Sequence, residues 1–365
     1  MPSPIAYSET FLRAHVEKLS AAVTYLEYYP IEIDDVFAKP VDSDWNAELK
    51  RIIRSSWHRY LLNPLKSRSL RKFFETHKTG VVLAEYGLTG VGTLKACKDF
   101  GIPLVVHFHG YDAYAREVLD RYEEMYRKLF AYASAIVGVS RHMVGQLKCL
   151  GAPSEKLFYN PYGVELEKFK QAAPDRAPMQ VIAIGRFVEK KAPYLTILAF
   201  EKVLQRLPEA KLVMVGTGIL HDVCSRLVKA LRIEHAVELK GIVDHDRVAT
   251  LMQQSRVFAQ HSLIPASGDA EGTPVAILEA GASGLPVVST KHMGIEDAVI
   301  HGKTGFLVSE GDVDTMANHI HQLLCNAQLA GEMGNNAREH IRRNFSMDQS
   351  IKNLRAILKD SSAGQ

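Results

Sequence analysis

The chain has 365 residues, 47% of them hydrophobic and 23% charged, with a formal net charge of +3. That length exceeds one ordinary core and suits two domains of roughly 150–180 residues. The composition is that of a soluble globular protein, and the small net charge excludes a polycation built for nucleic acid. Four cysteines, at 97, 149, 224 and 325, form no Cys-x-x-Cys pair, so neither a disulfide framework nor a zinc site is expected and a reducing compartment is. The opening MPSPIAYSETF lacks an apolar run of signal-peptide length, and no stretch approaches the ~20 apolar residues that span a bilayer. The expectation is a cytoplasmic protein.

In chain order, the first oddity is the N-terminus. A sheet domain of this kind usually opens with an apolar strand, yet only MPSPIA precedes Tyr7; the first N-terminal strand is missing or atypical. Between Lys50 and Lys78 stand nine basic residues (50, 51, 54, 59, 66, 68, 71, 72 and 78) against one acid, Glu75. Trp57, Tyr60, Leu61, Leu62 and Phe73 are interleaved. Two readings stay open here: an interfacial helix on an anionic membrane surface, or a solvated face or polyanion pocket. No nucleic-acid motif accompanies the charge.

Beyond this point short apolar runs alternate with helical patterns. Strands are expected at Gly80–Ala84, Pro103–His107, Ala135–Val139, Gln180–Ile184, Lys211–Val215, Val237–Leu239, Val257–Ala259 and Pro286–Ser289. Helices are expected at Ala192–Arg206, His221–Leu231, Asp246–Gln254 and Val313–Asn326. Such alternation implies parallel sheets covered by helices, an α/β class. QAAPDRAPM, residues 171–179, has two prolines and no periodicity, and marks a boundary. The expected division is 1–172, 173–345, and a final helix and frayed tail over 346–365 that packs back on the first domain.

The richest segment is GDAEGTPVAILEAGASGLPVVST, Gly268–Thr290. Thr273 is a plausible helix N-cap, Pro274 a first helical residue, and Gly284 a stop. A helix N-terminus has free N–H groups and a partial positive charge, so it suits a phosphate. Glu271 precedes that terminus and Glu279 lies one to two turns inside. Carboxylates accept hydrogen bonds from vicinal hydroxyls. Two of them flanking a phosphate site match a nucleoside diphosphate sugar: ribose, two phosphates, sugar.

Glu-seven residues-Glu in EGTPVAILEA resembles the signature of glycosyltransferase family 4, the group 1 retaining enzymes of polysaccharide and glycolipid biosynthesis. The resemblance implies the GT-B fold, two facing Rossmann-like domains with an interdomain cleft. It implies that Glu279 binds the ribose and Glu271 lies against the donor sugar, with Gly272, Thr273, Pro274 and Val275 beside the diphosphate. Further segments fit in order. AIGRFVEKKAP resembles the family's Gly-Arg…Lys element, so Arg186 and Lys191 would neutralise the leaving diphosphate, with Lys190 an adjacent competitor. KGIVDHD resembles the base-binding region, implying backbone contacts at Gly241, Ile242 and Val243. VVHFHGYDA resembles the His-Gly-x-Asp element, implying sugar contacts for His109 and an acceptor-side place for Asp112; His107 reads as a strand residue. SETFLRAHVEKL resembles the loop and first helix near the active site, implying acceptor-side Ser8 and Glu9, though the common Gly-Gly pair is absent. FYNPYGVELEKF resembles a structural interdomain segment. TKHMGIEDAV departs from the common Gly-Ile-Pro-Glu, with Gly294-Ile295-Glu296-Asp297 in its place.

The implied activity is transfer of a hexose from a UDP- or GDP-sugar to a glycan, lipid-linked glycan or other hydroxyl acceptor. His109, Glu271, Arg186 and Lys191 form the implied catalytic set. No cofactor and no metal are expected, because the Asp-x-Asp triplets at 42–44, 244–246 and 312–314 read as caps or turns. A peripheral position on the inner face of the membrane is expected if the basic stretch meets lipid. Two alternatives remain: a GT-B epimerase or phosphorylase-type enzyme, and a non-catalytic nucleotide-sugar binding module.

Overall fold

The computed structural model describes residues 10–19, 24–26, 38–40 and 64–363. It divides into two compact units: the described residues up to Asn160 together with Ser350 onward, and Pro161–Gln349. The proline-rich segment 171–179 therefore falls inside the second unit.

In the first unit, β1 (Thr24–Leu26) and β2 (Ala38–Pro40) form an antiparallel pair. Next come β3 (Val82–Glu85), β4 (Leu104–Phe108), β5 (Ala135–Gly138) and β6 (Leu157–Tyr159), a parallel sheet in that order. Among the described residues no strand precedes β3 in this sheet; the segment where a first strand is expected to be missing or atypical lies outside the described residues. β4 and β5 are buried along their whole length and read as continuous apolar runs, as strands covered on both faces must. The helix Gly87–Phe100 follows β3, and Arg116–Tyr132 precedes β5. The terminal helix Met347–Ala363 sends Ile357 and Leu358 onto Val105, Ala135 and Val137. Asn160 Nδ2 donates to Ser350 O at 3.2 Å, tying the same helix to the end of β6.

The second unit holds β7 (Gln180–Ile184), β8 (Lys211–Val215), β9 (Val237–Leu239), β10 (Val257–Gln260), β11 (Val287–Thr290) and β12 (Gly305–Val308). All pairings are parallel, in the order β12-β11-β10-β7-β8-β9. Chain order thus runs outward from β7 to β9, returns beside β7 at β10 and continues to β12. This is the doubly wound dinucleotide-fold order, and its switch point lies between β7 and β10. On one face, Val181, Ala183, Leu212, Met214, Ala259 and Val288 meet Ile197, Phe200 and Val203 of the helix Pro193–Leu204. Met316, Ile320 and Leu323 of the helix Val313–Cys325 join the same core. Truncating the fully buried Phe200 to Ala would cost about 3–5 kcal/mol.

The helix Val275–Ala282 begins one residue later than expected: Pro274, not Thr273, is the cap position. Its fixed φ of −67° suits that place, and Ile277 N–H bonds to Pro274 O at 3.0 Å. The stop is as expected. Gly284 has φ +76°, its N–H bonds to Gly281 O, and Leu285 N–H bonds to Ala280 O, the paired bonds of a left-handed C-terminal cap. Two of the three Asp-x-Asp triplets prove to be helix caps. Asp244 accepts from Arg247 N at 2.6 Å and Asp312 from Thr315 N at 2.9 Å. The third, at 42–44, lies outside the described residues.

Candidate active site

In an open α/β sheet, ligands meet the loops at the carboxyl ends of the strands beside the switch point. Those loops here follow β7 and β10, and they carry the expected residues. After β7 comes Arg186, then a single helical turn Glu189–Lys191. After β10 a segment without regular structure runs to the helix Val275–Ala282 and carries Asp269 and Glu271.

Lys191 Nζ stands 3.1 Å from Glu271 Oε1, an ion pair whose geometry leaves that oxygen without a hydrogen bond. Burial opposes the charge on Glu271, but the Lys191 ammonium, helped by Lys190, outweighs it and holds the carboxyl down to about 2. Burial also draws Lys191 below the ordinary lysine value, and Glu271 offsets this only in part. Lys190 Nζ pairs instead with Asp269 Oδ1 at 2.9 Å. The two adjacent lysines are thereby separated in role: Lys191 serves Glu271, and Lys190 braces the loop around it. The Arg186 side chain is exposed and forms no ion pair or hydrogen bond with the described residues, while its carbonyl accepts from Val188 N at 3.0 Å. With Gly185, Lys191, Thr196, Met214 and Gln260 it lines a small pocket at the end of β7.

Glu279 faces His245 across 2.7 Å (Oε1 to Nε2). The bond to Glu279 raises His245 above its usual value, burial only partly opposing. Phe169 packs edge-on against the His245 ring at 5.3 Å. Gly272, Thr273 and Pro274 are buried at the start of the helix, where the amides of Ile277 and Leu278 already bond to Pro274 O. A Cβ on Gly294 would drive into Gly272 O, so the loop after β11 must carry glycine there to lie on this segment. Gly241, Ile242 and Val243 follow β9, and Ile242 is 61% exposed.

In the first unit, β4 delivers His107 and, one residue past its end, His109. Both are buried, and both converge on Glu85 at the end of β3. His109 Nε2 lies 2.7 Å from Glu85 Oε2 and His107 Nδ1 lies 3.4 Å from it. His15 Nδ1, on the helix Thr10–Lys18, lies 2.7 Å from Glu85 Oε1. Burial resists ionisation of Glu85, yet the surrounding imidazoles hold its carboxyl well below the usual range. Burial, with His107 alongside, pulls His109 down to about 3, so its ring is neutral near pH 7. His15, Glu85 and His107 could also converge on a metal ion; the shape of the cluster, two imidazoles and one carboxylate, is the donor set for one.

Asp112 follows His109 by three residues. It is fully buried, and its oxygens accept from Gly87 N at 2.8 Å, His109 N at 3.0 Å and Gly110 N at 3.0 Å. Burial pushes its carboxyl up to about 6 against the pull of those three amides. These bonds fix the His109–Gly110 turn against the helix after β3. Ser8 and Glu9 lie outside the described residues, as do Trp57, Tyr60, Leu61 and Leu62 of the basic stretch. Motif spacing missed Glu85, His245, His292 and Glu310, because each meets its partner across 18 to 70 residues of chain.

Two Rossmann-like units, with cations and carboxylates gathered at the switch point of the second, define an α/β protein of the doubly wound class with a charged site at the expected place. Family profiles give it a place. The Glycosyl transferases group 1 profile matches residues 164–340, and the Glycosyltransferase Family 4 profile matches residues 26–168. The chain belongs to these group 1, family 4 glycosyltransferases and has their GT-B fold; it transfers sugar. A protein of Salmonella typhimurium provisionally named as the colanic acid biosynthesis glycosyltransferase WcaL is 29% identical over 285 residues, 76% of this chain and 70% of that one. A GDP-mannose-dependent alpha-(1-6)-phosphatidylinositol monomannoside mannosyltransferase of Mycolicibacterium smegmatis is 30% identical over 220 residues, 57% of each chain. Among solved structures, Anabaena HepE in complex with UDP and glucose superposes with a TM-score of 0.69 at 20% identity, covering 81% of this chain and 82% of that one. No helix among the described residues is long and apolar enough to cross a membrane.

Proposed function

We propose that this glycosyltransferase moves a hexose from a UDP- or GDP-sugar to a glycan or lipid-linked glycan, with retention at the anomeric carbon and without a metal. The observation that carries the reading is the Lys191–Glu271 pair beside the exposed Arg186, at the switch point of a doubly wound sheet. The cations answer the charge that grows on the departing diphosphate. The start of the helix Val275–Ala282 offers N–H groups to the same phosphates. Glu279 takes the ribose hydroxyls through the oxygen that His245 leaves open, and backbone around Gly241–Val243 meets the base.

In the transfer, the bond from the anomeric carbon to the β-phosphate oxygen breaks as the acceptor oxygen attacks from the same face. The acceptor proton passes to the leaving phosphate. Glu271, kept ionised, steadies the oxocarbenium-like carbon and binds sugar hydroxyls; it is not the nucleophile. His109, neutral and braced by Glu85, offers a hydrogen-bonding imidazole to the sugar. Polysaccharide assembly as the setting is supported by the name of the Salmonella relative, and a phosphatidylinositol-linked acceptor by that of the mycobacterial one. The basic stretch through Lys78 would supply contact with an anionic membrane surface.

The test is the slow hydrolysis of α-linked UDP-glucose and GDP-mannose, followed by proton NMR from the first minutes. The proposal expects the α-sugar to appear first, before mutarotation, and the rate to persist in excess chelator. First appearance of the β-sugar would overturn retention. Loss of the reaction in chelator, restored by manganese, would overturn metal independence and turn attention to the His15–Glu85–His107 cluster.

A further inference from the structure

Glu271 sits in a long irregular segment between β10 and the helix Val275–Ala282, and such segments hold a catalytic geometry only when tethered. Its side chain is fixed by Lys191. Its backbone is fixed by something the motifs do not contain. Glu271 N–H donates to His292 Nε2 at 3.2 Å. His292 Nδ1 lies 2.6 Å from Glu310 Oε1, and the other oxygen of Glu310 accepts from Ile264 N at 3.0 Å. An amide nitrogen only donates and a carboxylate only accepts, so the His292 ring carries its single proton on Nδ1. The side chain of His292 is wholly buried, while that of Glu310 is 31% exposed. Two points of the irregular segment, Ile264 and Glu271, therefore hang from one carboxylate at the end of β12, the second through an imidazole from the loop after β11.

We infer that Glu310 and His292 are positioning residues for Glu271, setting where its carboxylate stands relative to the donor sugar. The inference rests on the reading that Glu271 meets that sugar. Neither residue bonds to Arg186, Lys191 or Glu279, which grip the nucleotide. Their loss therefore falls on kcat and spares nucleotide affinity. A displacement of about 1 Å at a reacting centre costs about a hundredfold in rate.

Full-length wild type, Glu271→Gln, His292→Phe, His292→Gln and Glu310→Ala are compared for UDP-glucose and GDP-mannose hydrolysis, and for UDP and GDP affinity by calorimetry. His292→Phe and Glu310→Ala are expected to lower kcat about tenfold or more and to leave nucleotide affinity within about twofold. His292→Gln, whose amide oxygen offers an acceptor near the place of Nε2, is expected to recover most of the loss. Unchanged kcat in both His292→Phe and Glu310→Ala, or equal loss in His292→Phe and His292→Gln, overturns the inference. Should His292→Phe fail to fold, Glu310→Ala, whose side chain is 31% exposed, decides the matter: a kcat loss of about tenfold or more with nucleotide affinity kept supports the inference, and unchanged kcat overturns it. Glu271→Gln separates the layers. If it leaves kcat intact, the assignment of Glu271 to the sugar fails and the inference with it; if it lowers kcat and the two tethers do not, the inference alone fails.

Discussion

At Glu271 burial and charge pull in opposite directions, and the neighbouring ammonium wins. The ordinary glutamate value is about 4.3, and Lys191 with Lys190 holds this carboxyl down to about 2. A depressed acid contributes stability above its unfolded value, lost as pH falls through its folded one. His109 is shifted in the same direction by a different cause, burial itself. Burial holds it down to about 3, so in acid the unfolded chain takes up the proton first, and stability falls as pH drops from about 6.5 toward that value. Thermal midpoints measured from pH 7 to 2.5 should therefore decline in two overlapping stages. His109→Gln should flatten the upper stage and Glu271→Gln the lower. Parallel profiles for all three proteins would show that neither group carries the acid response. The identities of Glu271, Glu279, Arg186, Lys191 and His109 were legible in the sequence because each sits in a short motif. What each touches was not. Glu85 meets His15 across 70 residues, and Glu279 meets His245 across 34, distances along the chain that no local pattern encodes. Asp112 shows the converse: a motif residue whose carboxylate is spent on three backbone amides.

Among the elements, those with strong apolar runs were read well. Gln180–Ile184, Lys211–Val215 and Val237–Leu239 stand at their expected bounds. β6 and β12 were missed. Leu157–Tyr159 is a three-residue strand with no buried residue, and Gly305–Val308 opens on a glycine, so neither announces itself. The helix Val275–Ala282 starts one residue late because proline, lacking an N–H, fits the cap position as well as the first turn. The acidic triplet at 312–314 belongs to a cap, and that reading makes a prediction. Asp312→Ala should cost about 1 kcal/mol of stability through the lost bond to Thr315 N, and leave donor hydrolysis within about twofold. A large loss of activity without a fall in melting temperature would favour an ion-binding role for the triplet instead. The loop after β11 makes a second. Gly294→Ala places a methyl against Gly272 O and should slow donor hydrolysis about tenfold or more by pushing the Glu271 segment outward.

At the scale of the whole molecule, the strand order of the second unit does most to locate the chemistry. The sheet reverses direction of growth between β7 and β10, and the loops leaving those two strands carry Arg186, Lys191 and Glu271. The alternation of strands and helices was enough to foresee parallel sheets, but not their order, which depends on which strands pair across the switch. The first unit contributes a different device, a carboxylate ringed by three histidines at the ends of β3 and β4. The account stands most directly on the claim that a nucleoside diphosphate binds at the switch point of the second unit. Calorimetric titration of UDP and GDP onto wild type, Arg186→Ala and Glu279→Gln tests it. One of the two nucleotides should bind wild type, and each substitution should weaken that binding about tenfold, roughly 1.4 kcal/mol. Equal affinity in all three proteins, or binding of neither nucleotide, would contradict it.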